Sequence, residues 1–505
     1  MSPWVTSCFF LFLAWFLFFY TIQSFLSKHG NNSNSLPPGP PGLPVIGHLH
    51  MLGDLPHRTF QKLSQKYGPI MGLRLGNVPT IVVSSPVAAE LFLKTHDLNF
   101  ASRPKAQVSD YISYGSRGLG FSEYGPYWRN LRRLCIIHLL NISKVDSYVF
   151  LRKEETMRLV ENLKGAAERG EAVDISVQVG SVIERITYSV IFGQGYQDIN
   201  SFKPVIQEML RMHGEYNLSD YVPFTKAFDL QGLGRGAKNV HRFLDDILEK
   251  IIHEHEQYSS GDKEHHMGFI DVLLSLRKTS DAHEEQLDST TIKALTIDML
   301  GAMMDTSATT IQWVLAELVK QPRVMTKIQE ELMTVVGEHR MVEESDLPHL
   351  AFLNMTVKET LRLHPVAPLL LPHQSIEDIS VEGYHIPKNS LIIVNAWAIG
   401  RDNDAWSGNA EEFDPERFRD TKIDVRGQDL KLIPFGSGRR KCPGIELGMR
   451  TVQFVLAQLL HCFALALPHG KSPRDVDMTE KNGITVTLAN PLLVIPTYRL
   501  RLGSI

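Results

Sequence analysis

The chain has 505 residues, 43% of them hydrophobic and 21% charged, which is enough for about two to four domains or one large enzyme fold. Its 52 cations against 56 carboxylates leave a net charge of −4, without the basic balance of a nucleic-acid binder. The four cysteines, Cys8, Cys135, Cys442 and Cys462, are too few and too scattered for a secreted disulfide framework, and no CxxC or HExxH spacing offers a zinc ligand set.

From Met1 to Ser27 no side chain is charged, and Trp4 to Ile22 reads WVTSCFFLFLAWFLFFYTI, long enough at ~1.5 Å per residue to cross a bilayer core of roughly 30 Å. It lacks the basic n-region and small-residue cleavage site of a signal peptide. The spacing predicts one N-terminal membrane anchor over 1–27, and Lys28 directly after it places the bulk of the chain on the cytosolic side. Residues 28–44 follow as a polar tether, SKHGNNSNSL, and a stiff proline-rich hinge, PPGPPG. Residues 45–505 form the expected catalytic domain.

Within it, Ile70 to Ser85 alternates apolar and polar residues around a Gly-Asn break, which predicts a hairpin. From Pro86 to about residue 365 apolar residues recur at three and four, so the body is expected to be mainly α with a small β portion. Gly232 to Ala237, GLGRGA, fits a loose dinucleotide fingerprint, but no buried strand precedes it and no βαβ pattern surrounds it. The polar stretch His253 to His283 is expected to be mobile.

One helix stands out. Ser289 or Thr290 can cap it and Pro322 stops it, leaving about 30 residues, or about 45 Å. Its middle carries Gly301, Asp305, Thr306, Ser307, Thr309 and Thr310, poor helix formers where a core helix would be apolar. Two readings are open: a core helix whose hydroxyls bond back to carbonyls, or a helix opened locally to hold water or a small ligand.

FGSGRRKCPG, residues 435–444, surrounds Cys442 with glycines and with Arg439, Arg440 and Lys441, just before a helical pattern. A lone thiolate serves as nucleophile or metal ligand, and both uses need nearby positive potential. The three glycines suggest that something large and flat passes close to the backbone.

These residues resemble the haem-binding loop FxxGxRxCxG of the cytochrome P-450 monooxygenases, with Phe435, Gly438, Arg440, Cys442 and Gly444 at every defined position. KETLRLHP resembles the family's ExxR helix through Glu359 and Arg362, FDPERF supplies Arg417, and YWRNLR supplies Trp128 and Arg132 of the WxxxR helix. PPGPPG resembles the hinge of microsomal members, and PFGSGRRKCPG the plant A-type form. The resemblance covers the whole chain and implies the P-450 fold, heme b with an axial thiolate from Cys442, and localisation in the endoplasmic reticulum membrane with a cytosolic catalytic domain. It implies that Glu359, Arg362 and Arg417 form a buried ion-pair network, and that Trp128, Arg132, Arg440 and His373 contact the haem edge and propionates. Asp305 and Thr306 match the acid-alcohol pair that manages protons for dioxygen, although Met303 stands where the family has glycine, so Gly301 and Ala302 would have to supply the room.

The implied reaction is hydroxylation with O2 and two electrons from a separate NADPH-dependent cytochrome P-450 reductase, docked on Arg129, Arg132, Arg133, Arg439, Arg440 and Lys441. A haem-thiolate isomerase or lyase, and a non-catalytic haem-binding protein, are the remoter alternatives. The resemblance places the substrate among Met303, Met304, Val366, Ala367, Leu369 and Leu370, the loop Val108 to Phe121 and a turn near Asn482 to Thr485. The helix middle and the segment after ExxR offer no charge apart from Asp305, so a small apolar plant metabolite such as a sesquiterpene-like olefin is expected ahead of a biphenyl- or phenylpropanoid-type aromatic.

Overall fold

The computed structural model describes Trp4 and residues 36–193, 202–258, 268–279 and 287–501. The expected anchor over 1–27 lies, Trp4 apart, outside the described residues, and no helix among the described residues is long and apolar enough to cross a membrane.

The proline-rich hinge runs onto the domain. Gly72 N donates to Pro38 O at 2.9 Å, and a Cβ on Gly39 would fall 1.9 Å from Gly72 O, so only glycine lets the two strands of chain approach this closely. Helix α1 (Pro56–Tyr67) starts with proline at its first position. The predicted hairpin is β1 (Ile70–Leu75) and β2 (Val78–Val83), antiparallel and turning at Gly76 and Asn77.

The body is helical, as expected. The helices that position the site are α2 (Pro126–Leu134), α3 (Ile175–Phe192), α4 (Phe202–Gly214), α5 (Leu233–Tyr258), α6 (Ser289–Lys320) and α7 (Ala351–Leu363). GLGRGA sits at the start of α5, behind a turn rather than a strand. Of the polar stretch His253 to His283, residues 259–267 and 280–283 lie outside the described residues. Residues 253–258 end α5 and Phe269–Thr279 form a further helix, because Phe269, Ile270, Leu273 and Leu274 give that segment a buried face.

Helix α6 is 32 residues long and continuous. Its cap is Asp288 rather than Ser289 or Thr290: the Asp288 carboxylate accepts from Thr291 N at 2.8 Å. It packs along α3 and α8 (Ile445–Cys462) and is buried on most of its circumference, so it carries no single apolar stripe. Thr306 and Thr310 follow the first of the two readings, with Thr306 Oγ1 donating to Ala302 O at 2.7 Å and Thr310 Oγ1 to Thr306 O at 2.8 Å, whereas Thr309 Oγ1 is buried with no partner.

After α7 the chain returns to the sheet through β3 (His373–Gln374) and β4 (Leu391–Val394). β4 pairs in parallel with β2 and antiparallel with β3, giving the order β1-β2-β4-β3. Near the C-terminus β5 (Glu480–Lys481) and β6 (Thr487–Leu488) form a small hairpin.

Candidate active site

Between α6, α2 and the loop before α8 lies a cavity of about 380 Å3, within the ~300–1,000 Å3 range of cofactor and small-molecule sites. Of the residues singled out in the sequence, Trp128, Arg132, Thr306, His373, Phe435, Arg440, Cys442 and Gly444 line it. Cys442 is the one described cysteine that does so; Cys135 and Cys462 are buried elsewhere.

The loop before α8 holds Cys442 by its backbone: Cys442 N donates to Phe435 O at 3.0 Å. Gly438 does not line the cavity. It adopts φ +67°, and a Cβ there would fall 2.1 Å from Leu93 O, so the glycine lets the loop fold against that carbonyl. Gly444 caps α8, and a Cβ there would touch Cys442 Sγ at 3.9 Å. Burial pushes the Cys442 thiol up, while the Gly444 N–H, Arg132 and Lys441 pull it down.

Three guanidiniums converge on the cavity. Arg440 sits over the Trp128 ring, donates Nε to Ala101 O and Nη2 to Ser122 O, both at 2.6 Å, and leaves Nη1 buried without a partner. Arg132 donates Nη2 to Lys441 O at 2.5 Å. Arg103, which the sequence reading missed, donates Nη1 to Leu371 O and Pro372 O at 2.7 Å. The bridge between Ser102 and Gln374 on the sheet edge brings Arg103 and His373 together, a tertiary signal that no local motif carries. Burial, then mutual repulsion, lowers Arg103 to about 9 and Arg440 to about 8. Among the described residues none of the three meets a carboxylate.

His373 gives its Nδ1 side to Phe100 O at 2.8 Å, and burial next to Arg103 lowers it to about 3, so it is neutral here. Trp128 lines the cavity with its ring, but its Nε1 donates to Leu119 O at 3.1 Å.

Behind the loop, Arg362 donates Nε and Nη2 to Glu359 at 2.7 and 2.8 Å with both side chains fully buried, and Arg417 Nε reaches the same carboxylate at 2.9 Å. Arg362 also donates to the carbonyls of Ala410 and Glu412. The expected buried network is present, and it ties α7 to the segment that leads into the Cys442 loop.

Asp305 does not line the cavity. Its carboxylate accepts from Thr485 Oγ1, and burial raises it. Gly301 and Ala302 both line the cavity, and a Cβ on Gly301 would meet Met209 Cε at 2.8 Å, so that glycine also serves the packing of α4. Of the expected substrate contacts, Met303, Val366, Ala367, Leu370, Phe121 and Thr485 line the cavity, whereas Met304 and Leu369 do not. Asp298 and His213 are additional polar liners. The Asp298 carboxylate accepts Gly120 N at 2.8 Å and is raised by burial to about 6.

Three guanidiniums without a carboxylate partner, Arg103 and Arg440 of them buried, facing a cavity that also holds one thiol fit a flat dianion with a metal centre, and heme b, with its two propionates, is such a group. The chain matches the family model for cytochrome P-450 over residues 37–495.

The chain is a cytochrome P-450.

Plant relatives match 92–97% of its length. It is 53% identical over 497 residues to the cytochrome P-450 CYP736A12 of Panax ginseng, covering 97% of each chain. It is 40% identical to a flavonoid 3'-monooxygenase, CYP75B137, of Crocosmia x crocosmiiflora (92% of this chain, 93% of the relative). It is 39% identical to a germacrene A hydroxylase of Tanacetum parthenium (96% and 98%). This cytochrome P-450 is therefore a monooxygenase that carries heme b with a cysteine thiolate on iron and takes electrons from a reductase partner.

Proposed function

We propose that this cytochrome P-450 hydroxylates a small apolar specialised metabolite, a sesquiterpene-like olefin, in the endoplasmic reticulum membrane. The observation that carries this reading is a cavity in which Cys442 and three guanidiniums without a carboxylate partner share space with aliphatic side chains such as Ile183, Met209, Met299, Met303, Val366 and Ile484. Such a lining binds by apolar burial at ~25 cal/mol per Å2, and methionines adapt to irregular shapes.

Cys442 would ligate the iron, Arg103, Arg132 and Arg440 would hold the propionates, and Trp128 and Phe435 would flank the ring. When bound, heme b supplies the dioxygen chemistry, and electron density from the sulfur favours O–O cleavage. The chain's own part is to hold protons back until they are needed. Thr306 lines the cavity while its Oγ1 donates to Ala302 O, and burial shifts the neighbouring Asp305 carboxyl toward its protonated form.

Electrons would come from an NADPH-dependent cytochrome P-450 reductase. A surface groove lined by Arg129, Arg132, Arg133 and Arg439, with exposed Ile136 and Ile137, shares Trp128 and Arg132 with the main cavity and suits an acidic partner. Membrane contact is supported by Phe224, Phe228 and Leu230, which are 66%, 71% and 65% exposed. The backbone of Tyr221 accepts from Asn77 N, which sets that apolar segment at the same end of the sheet as exposed Leu43 and Val45.

An aromatic substrate is the second reading, supported by Phe121, which lines the cavity stacked on His213 at 5.2 Å between centroids. Binding titrations separate the two. A low-spin to high-spin shift with sesquiterpene olefins and none with phenolics supports the first reading, and the reverse pattern replaces it with the second.

A further inference from the structure

The acid and the alcohol of the proton-handling pair do not meet the cavity in the same way. Thr306 lines it, but its hydroxyl proton is committed to Ala302 O. Asp305 does not line it. Thr485 reaches both: its hydroxyl donates to Asp305 Oδ2, and the residue lines the cavity.

Thr485 is held there from several sides. Val486 N donates to Val366 O at 2.8 Å, and Trp313 Nε1 donates to Val486 O at 2.9 Å. On the other side of the turn, a Cβ on Gly214 would fall 2.4 Å from Ile484 N, so α4 presses directly against the backbone. The turn between β5 and β6 is therefore fixed at the residue that reaches Asp305.

We propose that Thr485 is the positioning and proton-passing residue of this hydroxylase, joining the Asp305 carboxyl to the cavity. The inference rests on the hydroxylase reading above. With Asp305 protonated, its O–H breaks as the proton passes to Thr485 Oγ1, while the Thr485 O–H breaks and its proton passes to a cavity water. Each oxygen loses one proton and Thr485 regains one, so the hydroxyl ends as it began. Burial and the Thr485 hydroxyl are the two influences on the Asp305 carboxyl: burial, the larger, favours the protonated form this transfer needs, and the hydroxyl opposes it.

The test uses the full-length haem-loaded protein with its reductase and the variants Thr485→Val, Thr485→Ser, Asp305→Asn and Thr306→Ala. Thr485→Val should give about threefold to tenfold less product per NADPH, with peroxide in its place, and Thr485→Ser should restore the yield. A second readout needs no turnover. In the resting protein, the infrared band of the Asp305 carboxyl, assigned by its loss in Asp305→Asn, should titrate at higher pH in Thr485→Val, because the donor to the carboxylate is gone. Unchanged coupling in Thr485→Val while Asp305→Asn and Thr306→Ala uncouple would overturn the proposal and leave the hydroxylase reading standing. An unmoved titration would overturn it too. Full coupling in all four variants would remove both the proposal and the proton role given to the pair.

Discussion

Arg440 lies over Trp128 with its guanidinium carbon 4.0 Å from the ring centroid, and its Nη1 is buried with no partner. Two of its nitrogens are already fixed by the Ala101 and Ser122 carbonyls, so the third is aimed without freedom to turn away. Arg440→Leu should therefore lower haem affinity by about ten- to a hundredfold, the loss of one charge-assisted hydrogen bond worth about 1.5–3 kcal/mol. Haem-to-protein ratio after gel filtration, and haem transfer to a competing apoprotein, measure it. Full retention of haem would show that Arg103 and Arg132 suffice.

Cys442→Ala should abolish the thiolate-type Soret band of the reduced carbon-monoxide complex. Cys442 is the one described cysteine that lines the cavity, so a surviving thiolate band would refute its assignment as iron ligand.

Glu359 neutralises two cations at once, with Arg362 on the same helix and Arg417 across the chain at 2.7 and 2.9 Å. Glu359→Gln leaves the buried Arg362 uncompensated and should destabilise the protein by about 3–5 kcal/mol. Chemical denaturation followed by tryptophan fluorescence reads this, and a loss near the ~0–1 kcal/mol of a surface pair would contradict the network's role.

Thr306→Ala removes the cavity-facing oxygen while keeping the helix. Product per electron pair should fall several-fold, with peroxide making up the difference. Unchanged coupling would mean that Met303 signals a different route for protons.

Glu480 accepts from His57 Nε2 at 2.9 Å and Arg58 Nε at 2.7 Å. Burial would raise its carboxyl, and the two donors outweigh burial to bring it to about 2, against an ordinary value of 4.5. A depressed carboxyl contributes stability that is complete above the ordinary value and lost as the pH falls toward the folded one. The tie between α1 and β5 should weaken from about pH 4.5 downward and be gone near pH 2, at a cost of roughly 3 kcal/mol. Glu480→Gln should flatten the stability profile in that window, and an identical slope in both proteins would exclude the tie as its source.

Much of this site is written in short motifs. Cys442, Trp128 and Arg132 are identified by local spacing, and the Glu359 network by one helical turn plus one distant arginine. What escaped the sequence is what only tertiary pairing creates. Arg103 reaches the cavity because Ser102 bridges to Gln374, some 270 residues away. His213 and Asp298 face the cavity from helices whose periodicity shows burial but not what they are buried against. Gly438 shows the converse: its place in a binding motif reflects the approach of the Leu93 carbonyl rather than contact with the cavity.

The parallel pairing of β2 with β4 also sets a timetable. Val83 waits for Val394, about 310 residues later, and at roughly 5–20 residues per second the ribosome needs about 15–60 s to deliver that partner. During that interval β2 is an apolar edge, with Ile81, Val82 and Val83 lacking the neighbour that later buries them. This closure comes late and spans much of the chain, and slowing translation between these strands should lengthen the period in which that edge stands open.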